Sequence, residues 1–121
     1  MDKVLIIDDD QKNIFALTAM LRSKGYNTVS ALGAEEGFQL LLQSSGIGIV
    51  LLDMMMPDVD GYEMLSRIRN HDSLSGMPVI SVTAQAMPGD REKCLAAGAD
   101  EYVSKPIDVD RLIELLHEHL K

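Results

Sequence analysis

A chain of 121 residues, 46% hydrophobic and 25% charged, has the length and composition of one globular domain with its own core, expected to span residues 1–121. A single cysteine excludes an internal disulfide framework, no apolar run approaches the roughly 18–20 residues that span a bilayer, and Asp2-Lys3 leads into strand-like sequence without a signal peptide, so the expected compartment is the cytoplasm. A formal net charge of −8 argues against nucleic acid as a direct partner, because phosphate binding needs clustered lysine and arginine.

Val4-Leu5-Ile6-Ile7 is a continuous apolar run, which predicts a strand buried on both faces and ending in Asp8-Asp9-Asp10. From Gln11 to Lys24, Ile14, Leu17 and Leu21 recur at helical spacing with Phe15, Ala19 and Met20 beside them, and Gly25 supplies a stop. Tyr26 to Ala31 predicts a less apolar strand nearer the sheet edge. Ala34 to Gln43 is a helix with Phe38, Leu41 and Leu42 on one face, ended by Ser44-Ser45-Gly46. Ile49-Val50-Leu51-Leu52 is a second doubly buried run, which delivers Asp53 at its carboxyl end. Pro57 to Gly61 has turn chemistry, and Tyr62 to Asn70 reads as a helix anchored by Leu65 and Ile68. Val79-Ile80-Ser81-Val82 is a strand ending at Thr83. A helix follows from about Pro88 to Ala97, stopped by Gly98; its few apolar residues predict the most mobile helix of the chain. Glu101-Tyr102-Val103-Ser104 is the last strand and runs into Lys105-Pro106. The closing helix, Asp108 to Leu120, places Val109, Leu112, Ile113, Leu116 and Leu120 at core spacing, with acids in its first turn that complement the helix dipole.

Strands alternating with helices imply right-handed parallel crossovers and a three-layer α/β sandwich. In such sheets ligands bind beyond the carboxyl ends of the strands. Those ends bring Asp8, Asp9, Asp53, Thr83 and Lys105 to one rim. Like charges about 4 Å apart repel by roughly 4 kcal/mol per pair at an effective dielectric near 20, so the acids require a positive partner. Lys105 is one candidate and a divalent cation the other; hard oxygens without His or Cys suit Mg²⁺, with Mn²⁺ or Ca²⁺ as alternatives. Each residue also has a plain structural reading. Asp53 could cap a loop, Lys105 could be a surface lysine, Thr83 could satisfy a backbone group and Tyr102 could be an ordinary strand aromatic. Met54-Met55-Met56 reads as loop and core filling, Asp58 and Asp60 as turn residues, and His71 as a loop residue. His117 and His119 fall on different helix faces and read as a solvated end, and Cys94 reads as a packed thiol.

Taken together, Val4-Leu5-Ile6-Ile7-Asp8-Asp9, Leu52-Asp53-Met54-Met55-Met56-Pro57, Asp60-Gly61, Val82-Thr83-Ala84, Gly98-Ala99-Asp100 and Tyr102-Val103-Ser104-Lys105-Pro106 resemble the receiver domain of bacterial two-component signalling over essentially the whole chain. The resemblance implies a doubly wound, flavodoxin-like sheet of five parallel strands in the order 2-1-3-4-5 with five helices. It implies that Asp53 accepts a phosphoryl group from a histidine kinase or histidine phosphotransfer domain. Mg²⁺ would be held by Asp53, Asp9 and the backbone carbonyl of Met55, with Asp8 reached through water. Lys105 would neutralise the phosphoryl group, and Thr83 with the backbone N–H groups of Met55 and Ala84 would complete its cradle. Thr83 and Tyr102 would form the switch, while Met55 and Gln85 would tune water access and phosphoryl lifetime. A downstream effector would meet the face of the fourth helix, last strand and last helix, with a dimer on phosphorylation left open. The Lys105-Pro106 bond would be cis, as in that family. Met87 to Asp100 looks most like receivers attached to hybrid histidine kinases. The implied protein is a signalling phosphoacceptor, not a turnover enzyme.

Rival readings fit less well. A flavin phosphate would be repelled by Asp8-Asp9-Asp10, and no G-x-G-x-x-G follows a strand. A haloacid-dehalogenase-like phosphatase would need a second Asp where Met55 stands. A receiver-like interaction module that is never phosphorylated has no need of every acceptor-site residue type.

Overall fold

The computed structural model describes residues 2–44, 46–56, 61–84 and 88–120. Among them, strands β1 (Lys3–Ile7), β2 (Asn27–Ala31), β3 (Ile47–Asp53), β4 (Val79–Thr83) and β5 (Glu101–Ser104) alternate with helices α1 (Gln11–Ser23), α2 (Ala34–Gln43), α3 (Gly61–Asn70), α4 (Asp90–Ala96) and α5 (Val109–His119). The strands form one parallel sheet in the order β2-β1-β3-β4-β5, as expected.

The central strands read as unbroken apolar runs because successive side chains point to opposite faces and both faces are covered. On one face Leu5, Ile7, Val50, Leu52 and Val79 pack against Phe38 and Leu41 of α2, Met64, Leu65 and Ile68 of α3, and Cys94 of α4. On the other, Val4, Ile6, Ile49, Leu51, Ile80 and Val103 meet Leu21 of α1 and Leu112, Leu115 and Leu116 of α5. Each such buried aliphatic contributes about 1.5–3 kcal/mol, so these two layers hold the sheet. Caps fix where helices begin: Asp10 accepts from the Lys12 N–H at 2.9 Å and Asp108 from the Arg111 N–H at 3.2 Å.

Four side chains grouped with the core stripes, Phe15, Ala19, Leu42 and Val109, face outward. Phe15 is 77% exposed, because Leu21, with Ile14 and Leu17 half-buried beside it, carries α1's contact with the sheet. Leu42 lies about a quarter-turn from the stripe centred on Ala34, Gly37 and Leu41, and Val109 opens α5 ahead of its buried stripe. Leu115, absent from the expected stripe, is fully buried. Helix α4 is shorter than its sequence suggested: Pro88 and Gly89 form a turn, Gly89 adopts φ +90°, and the helix starts at Asp90.

Candidate functional site

Strand register builds the rim. Ile7 pairs with Leu52, so Asp8 and Asp53 emerge side by side; Asp53 pairs with Val82, and Thr83 pairs with Ser104, the residue before Lys105. The ladders extend just past the strand ends. The Asp8 N–H donates to the Ala31 carbonyl at 3.1 Å, Met54 N–H to the Val82 carbonyl at 2.9 Å, and Lys105 N–H to the Thr83 carbonyl at 2.7 Å.

The three consecutive acids after β1 have separate tasks. Asp8 is 3% exposed, accepts the Asp10 N–H at 2.9 Å and is approached by the Asn13 amide at 3.4 Å. Asp9 is exposed, while Asp10 caps α1. One carboxylate oxygen from each of Asp8, Asp9 and Asp53 lies within 4.8 Å of the others. Lys105 Nζ stands 3.5 Å from Asp8 Oδ2 and 3.9 Å from Asp53 Oδ2, and the Lys105-Pro106 bond is cis, as expected.

Asp53 is 5% exposed and accepts the Met55 N–H at 3.0 Å. Burial raises its pKa to about 6 and the Asp8 carboxylate adds to this, while the Met55 N–H and Lys105 pull the other way. Such a group sits where ionisation is costly until positive charge arrives. Three carboxylates without nitrogen or sulfur ligands fit a hard divalent cation, as the acids alone suggested.

Thr83, 4% exposed, closes β4 beside this cluster, and Ala84 is exposed just beyond it. Met55, whose N–H holds Asp53, has a half-exposed side chain. Tyr102 pairs with Ser81 and therefore lies on the same sheet face as Thr83, two residues away, half-buried against the α2–α4 core. Gln85, Asp58 and Asp60 lie outside the described residues. Asn13 escaped the sequence reading; its place in the first turn of α1, five residues after Asp8, was the available signal. Also unexpected was His119. His117 is exposed, but His119 turns back to β5, with Nε2 3.8 Å from Glu101 Oε2, and Arg111 approaches the other Glu101 oxygen at 3.9 Å.

Gly61 lets α3 begin against the acceptor loop, since a Cβ there would stand 2.6 Å from Met54 Cα. Beside the rim, Met54, Met55, Tyr62, Thr83, Asp90, Lys93 and Cys94 enclose a cavity of about 120 Å³. A larger apolar groove of about 300 Å³ runs between α1 and the start of α5 and includes the Lys105 stem.

A family model described as the response regulator receiver domain matches residues 4–117. The chain is 33% identical to the polar-differentiation response regulator DivK of Brucella anthropi over 117 residues, covering 97% of this chain and 94% of that protein. Among solved structures, a CheY-like receiver domain protein from Methanospirillum hungatei superposes with TM-score 0.85 at 30% identity, covering 98% and 92% of the two chains. A response regulator receiver protein from Pseudomonas putida gives TM-score 0.90 at 28% identity, covering 97% and 96%.

Proposed function

Because the chain belongs to the family of response regulator receiver domains, we propose that Asp53 accepts a phosphoryl group from a phosphohistidine on a histidine kinase or histidine phosphotransfer partner. The observation that carries this reading is a buried carboxylate at a strand end, held by the Met55 N–H, with two further acids and one lysine converging on it. An Asp53 oxygen attacks phosphorus, the P–N bond breaks, and its electron pair returns to the partner's imidazole, leaving an acyl phosphate.

The donor set fits Mg²⁺, which Asp9, Asp53 and the Met55 carbonyl would hold with Asp8 through water, and Mn²⁺ would suit the same oxygens. When bound, the ion supplies charge neutralisation between carboxylate and phosphoryl oxygens. Lys105, already within 4 Å of both buried acids, transfers its contact to a phosphoryl oxygen. Thr83 and the N–H groups of Met55 and Ala84 replace water's hydrogen bonds with fixed donors. Thr83 moves toward the new group and Tyr102 follows into the space it leaves, which repacks the α4–β5–α5 face for an effector or a second copy of the chain. Met55, half exposed and two residues after Asp53, and Gln85 set how readily water reaches the acyl phosphate.

The chain works as one domain over 1–121, in the cytoplasm where its kinase partners present phosphohistidine; among the described residues, no helix is long and apolar enough to cross a membrane. The sequence from Met87 to Asp100 supports a place among receivers of hybrid histidine kinases. The experiment is intact mass after incubation with Mg²⁺ and a small acyl-phosphate donor. One phosphoryl group is expected on the wild type and none on Asp53→Asn or in chelator. An unmodified wild type that also fails with a phosphohistidine donor would leave a module that acts by binding alone.

A further inference from the structure

Helix α4 has seven residues, too few to persist without tertiary contacts, and Cys94, 1% exposed, is its one buried side chain. What Cys94 touches therefore bears on where the helix rests. Its Sγ lies 3.6 Å from the Tyr62 hydroxyl of α3, either group able to donate, and Lys93 Nζ sits 4.5 Å from the centroid of the same ring. Burial, then the contact with Cys94, raises the Tyr62 pKa, so the phenol keeps its proton. On the sheet below, Ser81 Oγ is fully buried without a hydrogen-bond partner, directly across from Tyr102. Cys94 thus sits at the edge of the layer that α2 and α3 share, and the sheet face of that layer includes one polar atom, Ser81 Oγ, that is imperfectly satisfied.

The 120 Å³ cavity joins this contact to residues beside the acceptor, because Tyr62 and Cys94 line it together with Thr83 and Met55. We propose that the Tyr62–Cys94 contact, roofed by Lys93, is a latch that holds α4 in its unphosphorylated position and opens when Asp53 is phosphorylated. The proposal rests on the phosphoacceptor reading and adds the contact through which the rim reaches α4. Displacement of Thr83 toward a phosphoryl group, or of Tyr102 toward Thr83, changes the volume beside the one side chain that the helix buries. A weak thiol–phenol hydrogen bond yields before the hydrocarbon core does. Opening uncovers Cys94, so the single thiol of the chain reports the latch directly.

The test measures the rate at which Cys94 attacks an aromatic disulfide, read from the absorbance of the released thiolate, with intact mass recorded on the same samples. In Mg²⁺ buffer the phosphorylated wild type is expected to react at least tenfold faster than the unphosphorylated form. Tyr62→Phe, without donor, is expected to react several-fold faster than wild type, and to take up phosphoryl faster because open α4 is already populated. Phe38→Leu loosens the α2–α3 side of the core away from the latch and serves as a control of lowered stability; it is expected to leave the thiol rate near wild type. Equal rates with and without phosphoryl group would overturn the proposal. So would a Phe38→Leu rate matching that of Tyr62→Phe, since the thiol would then be exposed by global unfolding. A mass that shows no phosphoryl group would overturn the acceptor reading instead, and the Tyr62→Phe rate would still decide whether the contact holds α4.

Discussion

Asp53 shows how one residue's surroundings set both reactivity and stability. Its pKa is raised from 3.8 to about 6, with burial the largest cause, so the folded state holds its proton more tightly than the unfolded chain. The sign follows from linkage: in metal-free protein this group costs nothing below about pH 4, and stability falls as pH rises from about 4 to 6. The full cost, roughly 2–3 kcal/mol from a shift near two units, is present above that window. Asp53→Asn is therefore expected to be more stable than wild type by about that amount at pH 7 in chelator. The two should converge near pH 4, as checked by urea unfolding. The acids and Lys105 were legible from sequence because each follows a recognisable strand. Asn13 was legible only from its place five residues after Asp8 in the first turn of α1, because the residue type alone does not say that its amide reaches back to the acid.

Among the elements, α3 and α4 are held in contrasting ways. Arg69, at the end of α3, donates to the Gly98 carbonyl at 2.9 Å, the Met77 and Ser75 carbonyls at 2.6 and 3.2 Å, and Asp100 at 3.0 Å. Asp100 in turn accepts the Val79 N–H at 2.8 Å. One guanidinium thus ties α3, the start of β4 and the turn into β5. Arg69→Ala is expected to cost roughly 2–3 kcal/mol in chemical denaturation, and Arg69→Lys to restore less than half of it, because an ammonium cannot span those carbonyls. By contrast, α4 buries only Cys94, and its backbone amides are expected to exchange with deuterium fastest among the five helices. Exchange in α4 as slow as in α3 would contradict this. The sequence marked α4 as poorly anchored but overran its start, since Pro88 is compatible with a first turn and only the left-handed backbone of Gly89 ends that possibility. Phe15, Leu42 and Val109 were misplaced for a related reason: helical periodicity locates a stripe but not its width.

At the scale of the whole molecule, alternation of doubly buried runs with helical patterns revealed the class of fold, whereas the strand order came from resemblance, because the right-handed crossover rule permits several orders. The acidic character of the chain, −8 overall, reaches its sharpest expression where Asp8, Asp9 and Asp53 meet. A cation that binds only the folded form is expected to raise the unfolding temperature with concentration, adding about 2.7 kcal/mol at a hundred times its Kd. Differential scanning calorimetry against Mg²⁺ should show that rise in wild type and a smaller one in Asp53→Asn.

The Arg69 bracket sits at the opposite end of β4 from Thr83, and it grips the carbonyl of Gly98, two residues past the end of α4. A Cβ at Gly98 would crowd the Arg69 side chain, and its φ of +117° favours glycine. The helix is consequently fastened just beyond its far end. In the proposed opening, lifting it would resemble raising a lever on a fixed pivot: Asp90 and Arg91 would travel farthest, and the joint at Gly98 would barely move.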